Sequence, residues 1–423
     1  MPAGLDGPGS GPPAWFPGRA IDRTTGEGWT RYRLTRDAFQ PAPQITYSEY
    51  KKLSPARQQL HDLHRIATCS SLPILDTPMT LAITEAVNSR LLVGVMGPAE
   101  RTRAGVMLSG AGSQGKTETI CKILAAWEDR WLALNNYFNP QAVPGTRDLV
   151  VPVAYVQVPV TATPKSTCEA ILSFYGEDFK GMSLPALERT VRRALVEHAT
   201  RVLVLDDITR LKLHREADQD SLDLIRGFMN VTVLILVGVD IPHSGLLRGG
   251  HLDPRTGDWH VPAVRDKSKS PNDEAGTSID RRFKLVELDP LSYYTPEATA
   301  AWVSQLAGLE AHVRLLKSGH HPLTSGAVPE YLHRRAKGVV DRLSLLISEA
   351  CLTAIETGTE QLTEELLDSI TVDAGETAGG DQPAGEQSAV PPPPGPQAAR
   401  KGRKKRGRNT VFDDHGSDLA AGM

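Results

Sequence analysis

The sequence predicts an α/β fold, with a mostly parallel, doubly wound sheet followed by a small helical domain. Short apolar runs alternate with longer helical patterns between Gly105 and Leu288, and the first run opens directly into the phosphate-loop pattern GAGSQGKT at Gly110–Thr117. After Pro290 the pattern is helical throughout. Strands of roughly four to eight residues separated by helices need crossover connections, which place helices on both faces of a parallel sheet.

The 423 residues suffice for one large α/β domain, a smaller module and tails. Residues 1–45 are rich in Gly and Pro without a lasting apolar period and read as a disordered or loosely docked arm. They carry neither a basic n-region nor an apolar h-region, so no secretory signal is read and the cytoplasm is the expected location. From Tyr47 the pattern turns helical. Residues 53–67 put Leu53, Leu60, Leu63 and Ile66 on one face, and Asp76, Thr77 and Pro78 form a cap for a second helix carrying Leu81, Ile83, Val87 and Leu91.

Five strands follow: GVMLSG, LVVPVAYVQVP, VLVLDD, VTVLILVGV and FKLVEL. Helices are expected between them at 116–131, 166–174, 187–198 and 222–228. With the preceding helices they make a domain over 46–290, interrupted by a polar insertion at 242–280 that is too long for an ordinary connection. Residues 291–373 form a helical lid domain, with Gly338 and Gly358 as helix stops. Residues 374–423 are a low-complexity linker with a basic tail and cannot bury a core.

Composition excludes several classes. No run of 18 apolar residues exists, so no membrane span is expected. Cys69, Cys121, Cys168 and Cys351 are scattered, with no C-x-x-C pair, and read as small core residues rather than zinc ligands or a disulfide framework. His61 and His64 lack an acidic or Cys partner and read as ordinary surface or core histidines. The net charge is −3, yet residues 400–408 (RKGRKKRGR) hold seven basic residues, so the rest of the chain sums to about −10. Attraction to nucleic acid must therefore come from local patches. The basic tail lacks interleaved aromatics, so it suits nonspecific phosphate attraction or plain solvation rather than base stacking.

The chemistry starts at Gly110–Thr117. Glycines let backbone N–H groups approach phosphate oxygens, Lys116 neutralises the β and γ oxygens, and the Thr117 hydroxyl reaches Mg²⁺. The candidate ATP-binding set is Gly110, Ala111, Gly112, Ser113, Gln114, Gly115, Lys116, Thr117 and Glu118. The apolar run 202–207 ends in two acids. Asp206 would hold Mg²⁺ through water, and Asp207 would orient or deprotonate the attacking water; alone, the same pattern fits a strand ending in a helix cap. Arg281 and Arg282 precede the last strand, where an arginine either reaches the γ-phosphate of a neighbouring subunit or is a solvated pair. Arg342 on the lid is read as a phosphate contact within the subunit or as helix-surface charge. Lys165, Arg210 and Lys212, with Thr209, His214 and Arg215 beside them, either meet a phosphodiester backbone or form a solvated loop face.

From Ser54 to Ile370 the chain resembles AAA+ ATPases of the TniB/TnsC type. The resemblance rests on PARQQLHDLHRI, DTPMT, LSGAGSQGKTETI, VPVAYVQVPVTATPKS with AILSFYG, LVLDDITRL, LILVGVDIPHSGLL, DRRFKLVELDPLS and the helical module. It implies a regulator of DNA transposition that binds ATP and Mg²⁺, oligomerises as a ring or filament around duplex DNA, and recruits a DDE transposase, with hydrolysis promoting disassembly. A TniQ-like target-selection protein is a further implied partner. Lys116, Thr117, Asp206 and Asp207 map onto the family's nucleotide site. Two departures matter: Asp207 stands at the usual Glu position, and Gly238, Val239 and Asp240 stand where many AAA+ proteins place Asn, Ser or Thr, so slow hydrolysis is expected. The competing readings are a STAND-like signalling NTPase that does not bind DNA, and a DNA-remodelling motor or helicase loader.

Overall fold

The computed structural model describes residues 13–16, 18–97, 101–141, 150–160, 162–211, 219–241, 251–252, 259–260, 282–319 and 321–372. All five expected strands join one sheet: β1 (Gly105–Gly110), β2 (Val153–Gln157), β3 (Val202–Asp206), β4 (Val233–Gly238) and β7 (Phe283–Leu288). Their order is β2-β3-β4-β1-β7, and every pairing is parallel. β3 and β4 are buried from end to end, which is why they read as unbroken apolar runs rather than alternations. Within the 242–280 insertion, β5 (His251–Leu252) and β6 (Trp259–His260) pair antiparallel; the remainder lies outside the described residues. So do the low-complexity linker from 374 and the basic tail.

The crossovers are α5 (Lys116–Phe138), α6 (Pro164–Tyr175), α7 (Leu184–Glu197) and α8 (Gln219–Met229). The start and end of α6 have local causes. Thr163 and Ser166 form a reciprocal capping box with Pro164 at the first position, and Gly176 ends the helix at φ 72. Because β1 lies between β4 and β7 while the chain leaving it crosses to β2 at the far edge, the crevice at the carboxyl ends of the strands opens beside β1.

The reading of residues 1–45 as a disordered or loosely docked arm is corrected over the helix it contains, which is firmly held. Thr25 caps the helix α1 (Gly26–Thr35), whose Trp29 is fully buried in the main core. The Trp29 indole donates to Glu128 Oε2 on α5 at 2.6 Å, and Arg33 and Arg36 both donate to Asp129. One buried aromatic and three polar anchors hold a segment whose Gly and Pro content alone suggested disorder.

Burial pushes the Glu128 carboxyl up to about 7; the Trp29 hydrogen bond and the Arg33 charge oppose this, and the Asp129 charge adds to it. A folded-state value above the unfolded one means that the native chain holds a proton the unfolded chain has released. Stability is therefore expected to fall as pH rises from about 4.5 to about 7. Urea unfolding at about pH 5 and about pH 8 measures this, and Glu128→Gln should flatten the slope.

Next come α2 (Tyr47–Lys51), α3 (Pro55–Ser70) and α4 (Pro78–Met96). Thr77 caps α4 as expected, and Ile83, Val87 and Leu91 are buried, although Leu81 is exposed. Among the described helices only α4 is long and apolar enough to cross a membrane by length and composition, yet its inner face packs into the sheet core.

The face expected for α3 is wrong. Leu60 and Leu63 are exposed, while His61, Arg65, Thr68 and Cys69 are buried. Arg65 lies on the buried face, donating to Glu360 Oε2 at 2.7 Å and Oε1 at 3.0 Å from 295 residues away. The Cys69 carbonyl accepts from Ser348 Oγ, so α3 packs with the C-terminal helices rather than with the sheet domain assigned to it.

Those helices are α9 (Pro296–Glu310), α10 (Val328–Ala336), α11 (Val340–Thr357) and α12 (Glu364–Asp368). They build a second core around Trp302, Leu306, Leu332, Leu346 and Ile347, which also takes in Cys69. Gly358 caps α11 at φ 71, the left-handed stop expected of it. All four cysteines are buried and free.

Candidate functional site

The loop after β1 is shaped by two backbone constraints. A Cβ on Gly110 would lie 2.5 Å from the Leu288 carbonyl oxygen, so only glycine permits this end of β1 to lie against β7. Ser113 (φ 59) and Gly115 (φ 70) then pass through the left-handed region, curling the chain into the first turn of α5. The leading N–H groups of a helix lack intrahelical partners and present a positive end to an anion.

Lys116 is buried, and its Nζ donates to the Gly110 and Ala111 carbonyls at 3.1 and 2.5 Å. Burial pulls its ammonium below the usual lysine value, opposed by the carboxylates of Asp206, Asp207 and Asp341. Beside it Thr117 Oγ1 donates to Asp206 Oδ2 at 2.7 Å, which joins the two expected metal ligands across 89 residues. Asp206 is itself buried; its Oδ1 accepts from the Asp207 N–H at 2.8 Å, and its Oδ2 accepts a second bond from the Tyr155 hydroxyl at 2.7 Å. Burial and the Asp206 carboxylate push the Tyr155 hydroxyl well above the ordinary tyrosine value, keeping it a donor.

Asp207 leaves β3 at φ 56, about one-third exposed. Parallel pairing sets Gln157 opposite Asp206, and Gln157 Nε2 donates to Asp207 Oδ2 at 2.9 Å. The same oxygen meets Arg210 Nη2 at 2.9 Å, while Arg210 Nη1 donates to the Val158 carbonyl at 2.8 Å. Arg210, read as a DNA contact, is thus placed on the candidate catalytic acid. Lys165 stands exposed at the start of α6 and pairs loosely with Glu169 at 3.9 Å. Lys212, His214 and Arg215 lie outside the described residues.

Glu118 is exposed, and Arg23 donates to both its oxygens at 2.9 and 2.5 Å. Across the loop, a cleft of about 540 Å³ is lined by Ala111, Gly112, Ser113 and Gln114 on one side and by Pro290, Asp341, Arg342 and Leu345 on the other. Arg342 thus lines the cleft beside the phosphate loop. Arg282 sits at the opposite end of β7 from Leu288, about 20 Å of strand from Gly110, so it does not serve its own loop. Arg281 lies outside the described residues.

The donor set fits Mg²⁺ and ATP. It combines an ammonium, an adjacent hydroxyl and carboxylate, open helix N–H groups and a buried Gln114 whose Nε2 has no protein partner. Mg²⁺ suits a site with few protein ligands, because substrate phosphates and waters supply the rest. Sequence reasoning missed Tyr155, Gln157 and Arg23. Tyr155 and Gln157 alternate on β2, and that period-two spacing beside an acidic strand end was the available signal; Arg23 left none.

No curated protein matches the sequence. Among solved structures, similarity is found to the Aeropyrum pernix ORC1 protein in complex with DNA, with 18% identity over 70% of this chain and 65% of that one, at a TM-score of 0.46. The Aeropyrum pernix ORC2 protein shows 16% identity over 69% and 68%, with a TM-score of 0.43. Domain III of the Thermotoga maritima replication initiation protein DnaA shows 13% identity over 70% and 91%, with a TM-score of 0.38. The chain spans just under two thirds of the length of the first of these. Residues 99–241, which carry the phosphate loop and the acidic strand end, match the family model described as an AAA domain. With its five parallel strands and phosphate loop, the sheet domain of this chain is an α/β P-loop domain, and residues 99–241 within it are similar to AAA domains.

Proposed function

We propose that this chain is an ATPase that regulates DNA transposition, oligomerising on duplex target DNA when ATP is bound and recruiting or activating a DDE transposase. The observation that carries the nucleotide part is the 2.7 Å contact between Thr117 and Asp206 beside the Lys116 ammonium. The transposition part is supported by the sequence resemblance over 54–370, above all VPVAYVQVPVTATPKS, whose strand supplies Tyr155 and Gln157 to the same site.

Thr117 and Asp206 would hold Mg²⁺, which supplies charge neutralisation at the β and γ oxygens. Lys116 adds a positive charge from inside the loop, and Asp207 positions or deprotonates the attacking water. Asp207 has a shorter reach than Glu, and its Oδ2 is held by both Gln157 and Arg210. Both features favour slow hydrolysis and a long-lived ATP-bound assembly, with turnover promoting disassembly.

The test is assembly on duplex DNA of mixed sequence, followed by light scattering with ATP or ADP over a salt series. Assembly should need ATP, show little base preference and weaken linearly with the logarithm of salt concentration. ATP-bound protein that stays unassembled on duplex DNA at low salt contradicts the proposal.

A further inference from the structure

The Asp206 carboxylate has a support that lies outside the phosphate loop. Its Oδ2 accepts from Tyr155 on the neighbouring strand as well as from Thr117. The Tyr155 ring is itself held by the N-terminal segment: Trp29 stacks on it at 5.9 Å and 14°, and the Arg23 guanidinium lies 5.9 Å from its centroid. Arg23 also grips Glu118, the residue after Thr117, and lies 5.1 Å from the Tyr32 ring. Neither end of this brace is loose. Trp29 is tied to Glu128, and Arg36 to Asp129, on the same helix that begins at Lys116.

We propose that Tyr155, braced by Arg23 and Trp29, is a positioning residue that fixes the Asp206 carboxylate for its metal ion. Three donors on one carboxylate, from Thr117, Tyr155 and the Asp207 backbone, leave it a single orientation. A carboxylate already oriented loses less freedom when it meets a cation, so the segment 23–36 raises magnesium affinity without touching the ion. The inference rests on the reading of Thr117 and Asp206 as the magnesium pair.

The experiment is equilibrium binding of ATP to the full chain across a Mg²⁺ series and in excess chelator, for wild type, Tyr155→Phe and Arg23→Gln. Tyr155→Phe keeps the ring between Trp29 and Arg23 and deletes only the donor. It should raise the Mg²⁺ concentration giving half-maximal ATP affinity about tenfold, while leaving chelator-condition affinity and the thermal midpoint near wild type. Arg23→Gln should shift the Mg²⁺ dependence in the same direction by a smaller factor. An unshifted Mg²⁺ titration in Tyr155→Phe overturns the proposal, as does an equal loss of ATP binding with and without Mg²⁺, which marks a merely structural role. If wild-type ATP binding ignores Mg²⁺ altogether, the reading of Asp206 as a metal ligand falls and the brace falls with it.

Discussion

Asp207→Asn is expected to leave ATP binding near wild type and to lower turnover about 100- to 10,000-fold, the span over which a positioned general base acts. The substitution keeps shape and removes only the capacity to take a proton. Gln157 Nε2 still finds an oxygen acceptor at that position, so the loop should hold its place. Loss of the Arg210 charge pair should cost little stability, because both partners are about one-third exposed and solvent screens such pairs. Single-turnover hydrolysis alongside equilibrium ATP binding separates the two effects. Wild-type turnover in the variant would remove Asp207 from the catalytic role.

Glu360→Ala is expected to destabilise the fold by about 3–5 kcal/mol, the usual consequence of stranding one partner of a buried ion pair. Arg65 and Glu360 are both buried, and Glu360 also accepts from the Leu316 N–H at 3.0 Å. Asp62 at 2.5 Å and the Arg314 carbonyl at 3.0 Å remain to Arg65, which places the effect toward the lower end of that range. Denaturant unfolding measures it directly. A loss below about 1 kcal/mol would show that the pair does not hold α3 to the C-terminal helices.

That ion pair also marks where sequence reasoning stops. β3 and β4 were legible because strands covered on both faces must be apolar throughout, and a run such as VLVL admits few other readings. The phosphate loop was legible because Gly110 and Gly115 are required by backbone geometry that no other residue meets easily. The inner face of α3 was not, since period-3.6 reasoning turns apolar residues inward, and here a charged residue lies inward, paired with a partner 295 positions away. The N-terminal segment failed for a related reason. A Gly- and Pro-rich composition argues against a core of its own, but Trp29 is buried in a core that other elements supply. Arg23 has meaning only beside Glu118 and Tyr155, which the fold brings together.

Equilibrium ATP binding in Mg²⁺ to wild type and Lys116→Ala measures whether Gly110–Thr117 with Asp206 is an ATP site. One ATP should bind per wild-type chain, and Lys116→Ala should weaken the affinity about a hundredfold, because a buried cation facing the phosphates is lost. Equal affinity in the two proteins, or no ATP binding by a folded wild-type chain, would contradict an ATP site there.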